Sequence, residues 1–170
     1  GKPWAFGKAV AGIRNAKLAG HKISLRMTLT KHNVDNIDGI FDFIMQEKIE
    51  RVCFYHLAYT AQGRGVASDD CQLHETRAAI ETILNKTRAI HRSGYKLDVL
   101  TVDNHADGPY LYLKMKQENH PRAEMVRQML EWNGGGTYSS GVGIADIDFT
   151  GNVHADQFWM DYSFGNVRQR

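Results

Sequence analysis

Alternation of apolar and polar positions divides this chain into helical and extended stretches that follow one another in turn. Phe6, Val10 and Ile13 share one face of a helical pattern that Gly20 stops. Residues 23–29 then alternate, with Ile23, Leu25, Met27 and Leu29 on one side of a strand and Ser24, Arg26 and Thr28 on the other. In an open antiparallel sheet that polar side would face water. In a barrel, where helices cover the outside, it points inward, and an inward arginine requires an anionic partner. The pattern favours the barrel arrangement.

Asn33 or Asp35 is placed to cap the next helix, whose Ile37, Ile40, Phe41 and Ile44 make a core stripe. Arg51 to Tyr59 reads as a second strand, too apolar and aromatic for exposure on either face, and it runs into the glycine-bearing loop Thr60-Ala61-Gln62-Gly63-Arg64-Gly65. A long helix is predicted from Ser68 to Ile90, with Ile80, Ile83, Leu84 and Thr87 inward and Gly94 as the stop. Leu97 to Val102 is a third strand. Such alternation implies right-handed crossovers and a parallel sheet, amounting to about half of the eight units of a closed barrel. Tyr110 to Gln117 is helical, and Pro121 opens another helix through Met125, Val126, Met129 and Leu130. Composition shifts between Trp132 and Gly141, which reads as a boundary and loop. Its glycines lack the strand-then-helix frame of a phosphate loop. Gly143 to Phe149 and Val153 to Trp159 then form a hairpin about Thr150-Gly151-Asn152, with His154 and Asp156 just past the turn.

The third strand ends in Asp103-Asn104-His105-Ala106-Asp107, followed by Gly108-Pro109. Parallel α/β folds keep their chemistry at such strand tips, because the strand fixes position while the loop meets a ligand. Asp103, Asn104, His105 and Asp107 are therefore site candidates, although Asp103 or Asn104 would also cap a following helix. In the second strand, His56 and Tyr59 lie near the corresponding end. A lone histidine in a buried strand more often serves the core than chemistry. Arg64, between glycines, suits a carboxylate or phosphate.

Composition narrows the class. The 170 residues are 42% hydrophobic and 24% charged, enough for one core. Twenty-one basic residues against 19 acidic ones, scattered along the chain, argue against a nucleic-acid or membrane-surface partner. There is neither an apolar run of bilayer length nor a signal-peptide pattern, which predicts a cytoplasmic protein. Cys53 lies in an apolar run and shares no metal-type spacing with Cys71, so a buried free thiol is expected. The chain opens on Gly1-Lys2-Pro3 and closes on Arg168-Gln169-Arg170, and both ends read as if cut from something longer.

Four stretches together resemble one family: AVAGIRNAKLAGHKISLRMTLTKHN from Ala9, FDFIMQEKIERVCFYHLAYTAQGRG from Phe41, TVDNHADGPYLY from Thr101, and WNGGGTYSSGVGIADIDFTGNVHADQFWMDYSFGNVR from Trp132. They resemble the radical S-adenosylmethionine proteins of haem d1 and alternative haem biosynthesis, which modify side chains of didecarboxysirohaem. The resemblance implies an α/β fold: the C-terminal half of a partial (β/α)6 barrel over residues 1–132, then a small β-hairpin element over 133–170 that begins an auxiliary domain. It implies S-adenosylmethionine and 4Fe–4S clusters as cofactors. The C-x-x-x-C-x-x-C loop that holds the cluster is not in this sequence, and Ser140 and Ala155 stand where related auxiliary domains carry cysteines.

The resemblance also distributes roles. Arg26, Thr28 and Asn33 would sit by the methionine or ribose part of the cofactor, and the backbone from His56 through Leu57 to Tyr59 by its adenine. Arg64, Asn104, His105 and Asp107 would face an iron tetrapyrrole, and an electron donor would be a partner. The leading expectation is an enzyme in which a 5′-deoxyadenosyl radical abstracts hydrogen from a propionate or acetate side chain while the protein positions the reactants. One alternative is a non-catalytic, tetrapyrrole-binding or scaffolding half-barrel. Another is a metal hydrolase with zinc between Asp103, His105 and His154, whose spacing follows no recognised pattern.

Overall fold

A computed structural model describes residues 2–58, 64–134 and 140–169, with only the backbone of Arg64. Tyr59, the loop residues Thr60 to Gly63, and residues 135–139 of the glycine-rich stretch lie outside the described residues. The chain divides into two compact units. The first comprises residues 1–57 and 69–103, and the second residues 58–68 and 104–170.

In the first unit, α1 (Ala5–Leu18), β1 (Ser24–Thr28), α2 (Ile37–Gln46), β2 (Arg51–Tyr55), α3 (Leu73–Arg92) and β3 (Asp98–Val102) alternate as the sequence predicts. The strands make one parallel sheet in the order β1-β2-β3, in register Arg26 to Cys53 to Leu100 and Thr28 to Tyr55 to Val102. One face is the core. Val52, Phe54, Ile44 and Ile49 are fully buried, and the Phe54 ring lies 5.7 Å from Phe41 of α2. The predicted stripe of Ile37, Ile40, Phe41 and Ile44 is buried throughout, as are Ile80 and Ile83 of α3. On α1 only Val10 is buried. Phe6 instead meets the ring of Phe43, with centroids 5.6 Å apart.

Several boundaries differ from the sequence reading. Strand β2 ends at Tyr55, because beyond it the chain leaves the ladder after one further bond, from His56 N–H to Val102 O at 3.0 Å. Helix α3 begins at Leu73 rather than Ser68: a 3₁₀ turn occupies Arg64–Asp69, and a capping box between Gln72 and Glu75 sets the start. Neither Asn33 nor Asp35 caps α2 by a side-chain bond. A 3₁₀ turn at Val34–Asn36 intervenes, and Asn33 turns its amide back on its own loop. Gly20 and Gly94 stop their helices at φ of +82° and +84°.

The bidentate pair of Arg14 with Glu47 (3.0 and 2.5 Å) ties α1 to the end of α2, and Lys17 donates to the Glu47 carbonyl. The arginine holds the Glu47 carboxyl below its ordinary value.

In the second unit, α4 (Asp107–Gln117) packs against α5 (Ala123–Trp132). A Cβ at Gly108 would lie 2.6 Å from Leu130 Cδ2, so a larger residue there would have to displace that leucine. The hairpin is real but shorter and larger in company than predicted: β4 (Asp146–Ile147) pairs with β5 (Asn152–His154), and the tail adds β6 (Gly165–Asn166) as a third antiparallel strand.

Phe54→Ala in the intact protein should lower stability by about 3–5 kcal/mol, read by denaturant unfolding, whereas exposed Leu73→Ala should change it by less than about 0.5 kcal/mol.

Candidate functional site

Alternation along three parallel strands puts Ser24, Arg26 and Thr28, then Arg51, Cys53 and Tyr55, then Asp98, Leu100 and Val102 on the face opposite the core. Within its own unit this face is polar and largely uncovered: Arg26, Thr28, Arg51 and Asp98 are exposed, and only Cys53 is buried. At the N-terminal edge Arg51 pairs with Asp98 at 3.0 Å. Arg26 behaves differently. The expected anionic partner is absent among the described residues, and its guanidinium lies over the Tyr55 ring, 6.0 Å from the centroid. The Tyr55 phenol is pushed up by the neighbouring Cys53 thiol and by burial.

Loops at the C-terminal edge are tied in place. Asn33 donates to Thr28 O at 2.9 Å and accepts from Thr30 N–H at 3.0 Å, closing the loop after β1 on itself. Lys31 and His32 both reach the Asp69 carboxylate, at 3.4 and 3.0 Å, and Lys31 N–H donates to Asp69 O. This latch joins the β1 loop to the segment before α3, and His32 holds Asp69 below its ordinary value. His56 and Leu57 are half-buried. Asp103 ends β3 with φ of +66°, a left-handed conformation that aspartate tolerates better than most residues. Tyr59 and the Arg64 side chain lie outside the described residues.

The second unit holds the remaining candidates. Asn104 accepts from Ala106 N–H at 2.9 Å in an Asx turn, and Asp107 is the first residue of α4, where its charge suits the helix dipole. Neither Asp103 nor Asn104 caps α4 by a side-chain bond: Ala106 is its N-cap, and the Asx turn of Asn104 lies two residues before it. His105 is exposed. In the small sheet, Asp148 accepts from Thr150 N–H and Oγ1, Asn152 N–H and Nδ2, and faces His154 Nε2 at 3.2 Å. These bonds, the Thr150 hydroxyl first, hold Asp148 far below the usual carboxylate range. His154 also sets Nδ1 2.7 Å from Tyr162 O, so both ring nitrogens meet acceptors and the imidazole is raised above 6.5. A zinc ion bound by His154 would displace one of these two bonds. Among the described residues no three His, Cys, Asp or Glu side chains are gathered to hold a metal.

Sequence reasoning missed Tyr55, the Asp69 latch and Asp148. Tyr55 was within reach, since a parallel neighbour of the β1 strand places an aromatic diagonally from Arg26. The latch joins residues 37 apart and has no local signal.

No family model matches this chain. It is 49% identical over all 170 residues to an Fe-coproporphyrin III synthase of Methanosarcina barkeri, covering 42% of that protein. It is 32% identical over 168 residues to a pre-heme d1 synthase of Dinoroseobacter shibae, covering 41% of it. The chain is similar along its whole length to these two haem-biosynthesis proteins, in line with its resemblance to the radical S-adenosylmethionine family. It spans about two fifths of the length of these curated relatives. Solved structures of Streptococcus suis SuiB, without and with the precursor peptide SuiA, match with TM-scores of 0.57 and 0.56 at 16% and 14% identity. They cover 93% and 95% of this chain and 35% of SuiB, which shows a shared α/β fold, a partial barrel with a small antiparallel sheet.

The family's cofactors are S-adenosylmethionine and 4Fe–4S clusters. The two cysteines of this chain do not fit a cluster: Cys53 is buried on β2, Cys71 precedes α3, and among the described residues no group of metal-ligating side chains gathers around either. The uncovered sheet face, with a guanidinium that has no carboxylate partner among the described residues beside a hydroxyl and an aromatic ring, does fit the carboxylate-bearing end of an amino-acid nucleoside. No helix among the described residues is long and apolar enough to cross a membrane.

The raised imidazole and depressed carboxylate set a pH window for the small sheet. His154 contributes fully below pH 6.5 and its contribution is lost as pH rises through its raised value; that of Asp148 is lost as pH falls below the usual carboxylate range. Amide exchange of residues 146–166, corrected for intrinsic rate, should be slowest between these limits, and His154→Gln should flatten the alkaline limb.

Proposed function

We propose that this chain is the part of a radical S-adenosylmethionine enzyme that holds the cofactor and faces an iron tetrapyrrole, of which a propionate or acetate side chain is modified. The observation that carries the reading is the polar, uncovered face of β1 and β2, with Arg26 and Thr28 toward its C-terminal edge, in a chain 49% identical to an Fe-coproporphyrin III synthase. S-adenosylmethionine, when bound and reductively cleaved, supplies the radical that takes a hydrogen atom from the substrate.

The chain's own residues bind and orient. Arg26 offers its N–H edge to the methionine carboxylate, and Thr28 offers its hydroxyl to the ribose. Asn33, with its amide engaged at Thr28 and Thr30, shapes the loop beside them. The backbone at His56, Leu57 and Tyr59 lies along the adenine. Arg64, Asn104, His105 and Asp107 serve the tetrapyrrole: Arg64 and His105 suit its carboxylates, while Asn104 and Asp107 fix the start of α4. Residues 133–170 begin an auxiliary domain, supported by the small antiparallel sheet. We place the protein in the cytoplasm with an electron donor as partner.

Anaerobic assay of the intact, cluster-loaded protein with didecarboxysirohaem, reductant and S-adenosylmethionine should give 5′-deoxyadenosine and a tetrapyrrole of altered mass. Arg26→Ala should lower kcat/KM for S-adenosylmethionine about 10- to 100-fold, the loss expected for a charge-assisted hydrogen bond. Tetrapyrrole binding without 5′-deoxyadenosine would instead support the scaffolding alternative.

A further inference from the structure

The polar sheet face carries two arginines in different states. Arg51, at the N-terminal edge, is neutralised by Asp98. Arg26 has no carboxylate partner among the described residues and rests over the Tyr55 ring. The strand register dictates this contact. Arg26 is opposite Cys53 and Thr28 opposite Tyr55, so Tyr55 is the diagonal neighbour of Arg26 on the same face. A carboxylate at that position would consume the N–H edge of the guanidinium. An aromatic face restrains the planar group from one side and leaves its donors available.

Tyr55 is itself fixed. It is half-buried at the end of β2, the Cys53 thiol stands beside its phenol, and its carbonyl accepts from Leu29 N–H at 2.8 Å. That last bond also ties Tyr55 to the β1 loop just beyond Thr28. We infer that Tyr55 is a positioning residue, holding Arg26 with its N–H edge turned to the carboxylate of the amino-acid part of S-adenosylmethionine. The inference rests on the reading of Arg26 proposed above. It adds the residue that sets the orientation of Arg26.

Two probes separate the roles on the intact, cluster-loaded protein: S-adenosylhomocysteine, which bears the carboxylate, and 5′-methylthioadenosine, which lacks it. Tyr55→Leu should weaken S-adenosylhomocysteine about tenfold and change 5′-methylthioadenosine by less than about twofold, while Tyr55→Phe, which keeps the ring, should hold both within about twofold. Tyr55→Met, of similar bulk without a π face, reads the same contrast if the leucine variant does not fold. Equal weakening of both probes, or no weakening of either, overturns the positioning role. Arg26→Ala distinguishes the two levels. Loss of selectivity in Arg26→Ala but not in Tyr55→Leu removes Tyr55 alone, and no loss in Arg26→Ala removes the reading of Arg26 and this inference with it.

Discussion

Burial of one face of a short parallel sheet is the constraint on which the first unit depends. Parallel strands cannot be joined by tight turns, so each needs a helical crossover, and the crossovers cover the face they return across. Val52 and Phe54 of β2 meet that requirement with Phe41, Ile44, Ile80 and Ile83. Period-two alternation then forces the opposite set, Arg26, Thr28, Arg51 and Tyr55 among them, onto the other face. A one-residue slip would bury Arg26 and expose Phe54, so the core and the candidate site are fixed by the same register.

Polar interactions divide the labour at that face. The Arg51–Asp98 pair neutralises charge at the N-terminal edge, while Asn33 and the Asp69 latch hold the loops at the C-terminal edge. Among the described residues the Arg26 guanidinium is left without a carboxylate and rests on the Tyr55 ring. Exposed ion pairs contribute little to stability, so the value of the latch lies in loop position rather than in folding energy. The second unit uses a different device: Asp148 and His154 pin the turn and the return segment of a three-stranded sheet too small to have a core of its own.

Where the period was strong, the sequence was a good guide. The stripe from Ile37 to Ile44 and the alternation of Ser24, Arg26 and Thr28 identified the elements and the polar face of the sheet. Boundaries were less legible, since Ser68-Asp69-Asp70 continues a helical pattern that the Gln72–Glu75 capping box interrupts. The third strand of the small sheet could not be read, because Gly165-Asn166 has no strand propensity and pairs only through tertiary context. At the site, residue types were legible and partners were not. Arg26 on the inward face called for an acid, and the structure supplies a ring instead.

Hydrogen–deuterium exchange of the intact protein with and without S-adenosylhomocysteine tests the central claim that the C-terminal edge of this sheet holds the cofactor. Added protection over residues 26–33 and 53–58, with α2 and α3 unchanged, is the result expected. Ligand-dependent protection elsewhere with none at these strand tips would contradict it.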